Sequence, residues 1–373
     1  MRRLTVVQLL PSLHSGGVER STLEIADALV RAGHRALVVS AGGRLVPALE
    51  ASGAEHVALP IGRKSLTTLA QVGRLRALLA REHVDIVHAR SRLPAWIGRL
   101  AMRRLPAASR PRWMTTVHGL NSPSRYSAVM ASGERVISVS ATVRDYVLQH
   151  YPATDAARLR VIQRGIDPAQ FPRVPSPDAA ARAWAAAQWP ALAGDGPLLL
   201  LPGRGTRLKG HADALALLAR LRSDGVDARL WLPGAREPGR ERYVAELESM
   251  AQVQGLADMV AFTEATHEIA RAYAASDLVL QLSRKPESFG RTVIEALSVG
   301  RAVAGWAHGG VGELLRELQP TGAAAPFELE DLVVRARTLL AAPAPAVPIP
   351  YTLRAMQDAT LAVYAELADA PRD

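Results

Sequence analysis

The sequence predicts an α/β protein with two parallel-sheet domains, and three observations lead to this prediction. Short apolar segments of strand type alternate with longer amphipathic helical segments along most of the 373 residues. A Pro- and Ala-rich stretch at residues 168–196 interrupts this alternation, and a Pro-rich stretch at residues 341–350 interrupts it again. A chain of this length can also bury two complete hydrophobic cores.

The predicted elements follow this alternation in chain order. The first series has helices such as 19–32 and 67–81 between strands at residues 4–9, 36–39, 85–87, 113–117, 136–139 and 159–162. The second series ends in an amphipathic helix at 353–368, after strands at residues 197–201, 228–232, 259–262, 278–280 and 301–305. These elements predict a first domain at 1–168, a linker at 169–196, a second domain at 197–345 and a C-terminal helix within 350–373.

The composition narrows the class of protein. Hydrophobic residues make up 49% of the chain and the mean hydropathy is +0.05. No apolar run approaches the length of about 18 residues that a membrane span needs, so we expect a soluble globular protein. The chain has no cysteine, which excludes disulfides, thiolate catalysis and thiolate zinc sites and predicts a cytoplasmic location. Gln8 and Pro11 interrupt the apolar N-terminus, which favours a buried first strand over a signal peptide.

Positive charge is concentrated in the first half of the chain. Residues 1–180 hold 25 Arg and Lys against 12 Asp and Glu, whereas the rest of the chain holds 20 against 23. No recognition helix, zinc motif or aromatic-rich surface accompanies this charge, so we expect no nucleic-acid partner. Basic residues beside aromatic and aliphatic ones instead indicate the anionic inner face of the cytoplasmic membrane as a partner, with a simply solvated Arg-rich surface as the alternative. The residues concerned are Arg90, Arg92, Arg99, Arg103, Arg104, Arg110, Arg112, Trp96, Ile97, Leu100 and Trp113.

Residues 285–297 contain the most informative motif of the chain. Glu287 and Glu295 flank a Phe-Gly step, where an apolar periodicity predicts the start of a helix that ends near Gly300. With Glu287 just before the helix and Glu295 two turns inside it, their axial separation is about 12 Å, too long for a glycosidase carboxylate pair. The spacing suits a ligand held at both ends, with its anionic middle over the helix N-terminus. A nucleotide-diphosphate sugar has this form, and the N-terminus concerned comprises Phe289, Gly290, Arg291 and Thr292.

The motif continues into a predicted strand and the segment His308-Gly309-Gly310-Val311-Gly312-Glu313. Together these residues resemble the donor site of retaining glycosyltransferases of family 4, of the bacterial cell-envelope and lipopolysaccharide type. The resemblance implies the GT-B fold, in which two Rossmann-like, doubly wound parallel-sheet domains face a central cleft. It implies that the first domain binds the acceptor, that the second binds the nucleotide sugar, and that the last helix crosses back to the first domain.

Gly16 and Gly17 follow the first predicted strand. Their lack of a side chain would let a ligand phosphate approach the backbone, whereas the alternative interpretation is an ordinary turn at the start of a helix. The resemblance places this loop beside the donor diphosphate.

The loop after the strand at 197–201 carries the basic residues Arg204 and Lys209. The resemblance matches them to the two cations that hold the diphosphate, and two cations suit a departing nucleoside diphosphate where no metal is present. The family pattern is not followed after Arg204, where Gly205-Thr206 stands, so Arg207 remains an alternative phosphate ligand.

His118 follows the predicted strand at 113–117. A lone histidine is equally well explained as structural, but the resemblance matches it to a histidine that faces the transferred sugar and the acceptor. Arg164 begins a segment that resembles the domain hinge of the family, with Arg in place of Asn. No Asp-x-Asp and no His-Glu-x-x-His motif occurs, so we expect no metal.

The resemblance implies transfer, with retention, from a nucleotide-diphosphate sugar to a lipopolysaccharide, polysaccharide or lipid-linked glycan acceptor. A UDP-sugar is favoured over GDP-mannose, and the nucleotide sugar is a co-substrate beside which no cofactor is expected. The predicted catalytic residues are Glu287, His118, Arg204 and Lys209. Glu287 would hold the sugar hydroxyls and Glu295 the ribose. Two alternatives remain: a GT-B UDP-sugar epimerase, and a non-catalytic protein that binds a glycan or a nucleotide sugar.

Overall fold

The computed structural model describes residues 2–371 except 15, 175, 343, 344 and 346. Parts of the two predicted Pro-rich interruptions, and the last two residues of the predicted C-terminal segment, therefore lie outside the described residues. The internal contacts divide the chain into two compact units. The first unit comprises Met1–Gly165 and Leu353–Asp373, and the second comprises Ile166–Thr352.

The first unit contains a seven-stranded sheet whose pairs are all parallel, in the order β3-β2-β1-β4-β5-β6-β7. Its strands are β1 (Thr5–Leu9), β2 (Arg35–Ser40), β3 (Glu55–Ala58), β4 (Ile86–Ala89), β5 (Arg112–Val117), β6 (Arg135–Ser138) and β7 (Leu159–Val161). Its first five helices are α1 (Gly17–Arg31), α2 (Val46–Ala51), α3 (Gln71–Arg81), α4 (Arg92–Arg103) and α5 (Ala141–His150). The central strands are apolar and buried on both faces, as parallel strands covered by helices require.

The second unit contains a six-stranded parallel sheet in the order β10-β9-β8-β11-β12-β13. Its strands are β8 (Leu198–Leu200), β9 (Arg229–Pro233), β10 (Val260–Thr263), β11 (Leu278–Gln281), β12 (Ala302–Trp306) and β13 (Ala323–Ala324). Its helices are α6 (Ala179–Gln188), α7 (His211–Ser223), α8 (Glu241–Val253), α9 (Ile269–Ala275), α10 (Arg291–Val299), α11 (Gly309–Leu318) and α12 (Leu329–Ala341). The α/β class with parallel sheets, predicted from the sequence, is confirmed.

Both sheets reverse their strand order at an internal position, between β1 and β4 in the first unit and between β8 and β11 in the second. In open α/β sheets, ligands bind beyond the carboxyl ends of the strands at such a switch point. The loops that follow β1, β4, β8 and β11 are therefore the segments in which a site is expected.

Residues 169–196, predicted to be a linker, contain α6. The Asp178 side chain caps this helix by accepting a hydrogen bond from the Ala181 N–H at 2.6 Å, and α6 packs against α9 of the second unit. The final helix, α13 (Leu353–Asp369), packs against α1 of the first unit, where Tyr364 is buried. Among the described residues, no helix is both long enough and apolar enough to span a membrane.

Candidate active site

The loop between β11 and α10 carries Glu287 in the second unit. Helix α10 begins at Arg291, after Gly290 with φ +131°, and ends at Gly300 with φ +87°, so both ends use backbone conformations that favour glycine. Glu295 is therefore only about one turn inside the helix. The predicted two turns are wrong because the residues before Gly290 are not helical, so helix geometry no longer supports the axial separation of about 12 Å.

Glu287 and Lys209 lie together. The Lys209 Nζ donates to Glu287 Oε1 at 2.5 Å, and the two side chains are 29% and 25% exposed. The Ser283 hydroxyl also donates to Glu287 Oε1, and the Gln281 side-chain amide is 3.5 Å from Oε2. The sequence predicted both charged residues as site residues, and the structure brings their charged groups into direct contact.

The main chain joins the Lys209 loop to the Glu287 loop. The Arg284 N–H donates to the Leu208 carbonyl at 2.8 Å. Gly210 has φ +77°, and a Cβ there would lie 2.1 Å from the Leu282 carbonyl oxygen, so only glycine permits this approach. The ion pair between Lys209 and Glu287 is thus set by backbone contacts between two strand-end loops.

Arg204 and Arg207 have different surroundings. The Arg207 guanidinium pairs with Glu246, and its central carbon is 5.0 Å from the centre of the Tyr243 ring. Arg204 is exposed, and no hydrogen bond or ion pair of its side chain occurs within the described residues. Since Arg207 is already paired with a carboxylate, the geometry favours Arg204 as the cation available to a ligand.

The His-Gly-Gly segment packs directly on the Glu287 loop. The Gly310 N–H donates to the Glu287 carbonyl at 2.8 Å, and His308 Nε2 donates to the Ser283 carbonyl at 2.7 Å. A Cβ on Gly310 would lie 2.5 Å from the Phe289 Cα, and one on Gly309 would also be crowded by this loop. These glycines therefore let the start of α11 support the loop. Phe289, predicted as a ligand-binding residue, is itself buried.

Glu295 is only 8% exposed, and its carboxylate is held from two sides. Tyr273 donates its hydroxyl hydrogen to Oε2 at 3.0 Å, and the Arg291 Nε donates to Oε1 at 3.3 Å. Burial, reinforced by Glu295, raises the pKa of Tyr273 well above its ordinary value, so this phenol remains a donor. Tyr273 was missed in the sequence because it lies in α9, a short alanine-rich helix of seven residues with no motif around it.

In the first unit, Gly16 precedes α1 with φ +138°, and Gly17 is the first residue of the helix. The space beside Gly17 is open, because a Cβ there would meet no atom within 4 Å. A Cβ on Gly16 would lie 2.5 Å from a carboxylate oxygen of Glu19. A carboxylate therefore lies in the first turn of this helix, and its negative charge weakens the attraction of the helix N-terminus for a phosphate.

His118 follows β5 and lies, half-buried, beside Arg164. The Arg164 guanidinium donates to His118 Nδ1, and because a guanidinium cannot accept, the proton of the neutral imidazole is on Nε2. Burial, together with the charges of Arg164 and Arg90, holds the pKa of His118 well below its ordinary value. Arg164, predicted only as part of a hinge, therefore also orients this ring.

The basic stretch after β4 is only partly on the surface. Ile97 and Trp113 are buried in the core, which corrects the prediction that they form an apolar surface for a membrane. Arg90 is also buried, and Arg112 pairs with Glu134 at 2.9 Å. Arg103, Arg104 and Arg110 are exposed, and Arg99 is half-buried.

Within the described ranges, no group of three or more His, Cys, Asp or Glu side chains is arranged to hold a metal ion. The described residues of the site do offer fixed charges and hydrogen-bond donors. A lysine and a carboxylate meet beside a helix N-terminus in the second unit, and a neutral histidine lies at a strand end in the first.

Comparisons with known proteins agree with this architecture. α-Maltose-1-phosphate synthase of Mycolicibacterium smegmatis is 28% identical over 204 residues, which are 54% of this chain and 50% of that protein. The chain spans about half the length of the curated relatives it matches. A glycosyltransferase from Rickettsia africae superposes over the whole of both chains with a TM-score of 0.84 and 24% identity. Anabaena HepE in complex with UDP and glucose superposes with a TM-score of 0.79 and 21% identity, over 97% of this chain and all of that one.

These likenesses confirm the predicted fold class, two Rossmann-like domains of the GT-B type. Residues 15–170 match the family described as Glycosyltransferase Family 4, and residues 185–346 match Glycosyl transferases group 1. The two matches together cover most of the sequence. The chain therefore belongs to the glycosyltransferases, with a family 4 domain followed by a group 1 domain.

Proposed function

We propose that this protein transfers a sugar from a nucleotide-diphosphate sugar to a glycan or lipid-linked acceptor, such as a lipopolysaccharide or polysaccharide, with retention of configuration and without a metal. The observation that carries the proposal is the contact between Lys209 and Glu287 at the carboxyl end of β11, next to the start of α10. It puts a cation for a departing phosphate and a carboxylate for sugar hydroxyls within one hydrogen bond of each other.

Each charged residue has a separate task in this proposal. Lys209 and Arg204 stabilise the negative charge that develops on the diphosphate, aided by the positive end of the α10 helix dipole. Glu287 accepts hydrogen bonds from the transferred sugar. Glu295 accepts from the ribose hydroxyls, and the Tyr273 hydroxyl keeps its carboxylate in one orientation.

The retaining outcome is proposed to arise without a covalent glycosyl-enzyme. Glu287 is the nearest candidate for a nucleophile, but its Oε1 accepts from both Lys209 and Ser283. Two hydrogen bonds to one oxygen stabilise the carboxylate charge and make that oxygen a poor nucleophile. We therefore expect the acceptor to attack on the face from which the diphosphate leaves, with the leaving phosphate as its base.

UDP is the proposed nucleotide, with GDP second. The support is that Anabaena HepE, which shares this fold, was solved in complex with UDP and glucose. The test is a thermal-shift series with UDP, GDP, UDP-glucose and GDP-mannose, because a ligand that binds only the folded state raises its stability. Stabilisation by guanosine ligands alone would overturn the choice of UDP, and no stabilisation by any of the four would contradict a nucleotide-sugar site.

Product analysis then distinguishes the reaction types. With a UDP-sugar that stabilises the protein, transfer requires that UDP release depend on an added glycan and that the new linkage keep the anomeric configuration. Isomerised or hydrolysed sugar formed at full rate without any acceptor would identify an epimerase or hydrolase instead.

We also propose peripheral association with an anionic membrane surface, driven by charge alone. The support is the exposed group Arg103, Arg104 and Arg110 with the half-buried Arg99, each adding about 1 kcal/mol near such a surface. Co-sedimentation with phosphatidylserine vesicles at low salt should be lost in the triple variant Arg99→Ser, Arg103→Ser, Arg104→Ser. Equal partition with neutral and anionic vesicles would rule this association out.

A further inference from the structure

A buried arginine lines a cavity in the first unit. Arg90 follows β4 and is only 3% exposed. Its guanidinium donates to Gln8 Oε1 at 2.8 Å and to the Ser21 hydroxyl at 2.5 Å, and its Nε has no hydrogen-bond partner among the described residues. The cavity beside it has a volume of about 250 Å³. A positive charge is therefore held inside the protein by neutral groups.

A second cation shares the same hydroxyl. The Arg164 guanidinium donates to Ser21 Oγ and to His118 Nδ1, so two guanidinium groups converge on one serine. His88 adds no charge, because its two nitrogens are within 2.7 Å of Tyr364 and 2.6 Å of Thr116, and burial holds its pKa well below the ordinary value. The surroundings of the cavity are thus strongly positive.

The residues that line the cavity include no carboxylate. Besides Arg90, they include Arg92, whose guanidinium donates to the Ser127 hydroxyl at 3.2 Å. Neither arginine forms an ion pair with a carboxylate in the part of the chain that the structure describes. The acid that acts on Arg90 is Glu24, and that carboxylate is 3.3 Å from Arg20.

Burying a guanidinium is unfavourable because it loses its hydration, and the groups hydrogen-bonded to Arg90, Gln8 and Ser21, are neutral. Burial lowers the pKa of Arg90 to about 10, so the group remains charged near neutral pH. An anion in the cavity would supply a counter-charge in direct contact with the guanidinium. The cavity is smaller than the roughly 300–1,000 Å³ of pockets for drug-sized ligands, so it suits one sugar-sized group.

We propose that this cavity is an anion subsite for the acceptor, in which Arg90 and Arg92 bind a carboxylate or phosphate group carried by the acceptor sugar. The inference rests on the proposed function, because it assigns the first unit to the acceptor. It narrows the acceptor from any glycan to an acidic one, and it places the neutral His118 next to the bound acidic sugar.

The test compares acidic sugars with their neutral counterparts in the presence of saturating UDP, so that the phosphate-binding loop of the second unit is occupied. Binding of methyl β-glucuronide against methyl β-glucoside, and of glucose 6-phosphate against glucose, is measured by saturation-transfer NMR. At least one acidic sugar should bind about tenfold or more tightly than its neutral counterpart, since hydrogen bonds to charged groups are among the strong ones. The pair that shows the preference identifies carboxylate or phosphate.

The variants Arg92→Gln and Arg99→Gln are a matched pair on α4. Arg92→Gln should lose the acidic preference, whereas Arg99→Gln, outside the cavity lining, should keep it. Equal binding of acidic and neutral sugars to the wild type, or an acidic preference that survives Arg92→Gln, would overturn the inference. UDP binding is recorded in the same samples, so a protein that binds UDP without any acidic preference contradicts the subsite alone. A protein that fails to bind UDP contradicts the proposed function.

Discussion

Replacing Lys209 by methionine removes the ammonium group and keeps a side chain of similar length. In the folded protein this breaks the 2.5 Å contact with Glu287, although Ser283 continues to donate to that carboxylate. The Lys209 stem lies beside Gly203, where a Cβ on that glycine would be 3.4 Å from the lysine Cγ, and methionine keeps an apolar, unbranched side chain there. The variant therefore tests the charge with little change in packing.

The expected effects on stability and on rate differ in size. Both partners are about a quarter exposed, so the ion pair contributes at most about 1 kcal/mol to folding. For a unit of this size, such a loss lowers the Tm by roughly 2–4 °C. Loss of a preorganised group that stabilises transition-state charge costs about 100- to 1,000-fold in kcat. We therefore expect a nearly native Tm and a large fall in turnover.

The assay measures UDP release at saturating donor, together with thermal unfolding of the same samples. Arg204→Ala should behave like Lys209→Met, and Arg207→Ala should not, because that guanidinium is already paired with Glu246. Arg337→Ala is the charge control, since Arg337 is an exposed residue of α12 that pairs with Asp224. Near-normal turnover in both Lys209→Met and Arg204→Ala would refute the proposal that these two residues stabilise the diphosphate.

Three further predictions follow from contacts elsewhere in the structure. Glu295→Ala should weaken the binding of free UDP about tenfold or more, as titration calorimetry would show. Glu287→Ala should leave the UDP affinity equal or higher and should lower kcat. Identical UDP affinities in both variants would contradict the assignment of Glu295 to the ribose and Glu287 to the sugar. Gly310→Ala should lower both Tm and turnover, because the new Cβ would lie 2.5 Å from the Phe289 Cα. Gly73→Ala in α3 is the control, since a Cβ there meets no atom within 4 Å, and it should stabilise the protein by about 0.5–1 kcal/mol. Burial lowers the pKa of His211 to about 4, so below about pH 6.5 the unfolded chain binds a proton that the folded chain does not. The unfolding free energy should therefore fall by roughly 2 kcal/mol between about pH 6.5 and pH 5, as denaturant titrations at a series of pH values would show. If His211→Gln shows the same fall in unfolding free energy with pH, this residue is not its cause.

The more completely a strand is buried, the better the sequence predicted its position. The long central strands were found within one or two residues because parallel strands covered on both faces are continuous apolar runs. The edge strand β3 was missed, since its four residues, Glu55–Ala58, are only partly buried and two of them are polar. The two-residue strand β13 was missed because it is too short to show any period.

In the candidate site, the sequence predicted residues that lie in local motifs and missed contacts between distant segments. Glu287 and Lys209 were predicted as site residues because each lies in a recognisable strand-end motif, and the structure adds that their side chains are in contact. The support of Glu295 by Tyr273 joins residues 22 apart on two helices, and the convergence of Arg90 and Arg164 on Ser21 joins three distant segments. Such contacts depend on tertiary packing and leave no signal in one sequence. The same holds for Ile97, whose inward orientation depended on how α4 packs.

Lys209 is paired with a carboxylate, whereas Arg90 is hydrogen-bonded to neutral side chains. This difference affects how the two proposed substrates would bind. The Lys209 charge is balanced by Glu287 in the free protein, so a diphosphate must share Lys209 with that carboxylate. As Lys209 turns toward the phosphate, Glu287 gains capacity to accept hydrogen bonds from the sugar hydroxyls, which couples the two contacts. Free UDP lacks the transferred sugar whose hydroxyls Glu287 is proposed to bind, so it leaves this capacity unused. Arg90 needs no such exchange, because its partners, Gln8 and Ser21, are neutral. An acidic acceptor would therefore bind without displacing an ion pair, whereas the donor's affinity should depend on its intact sugar.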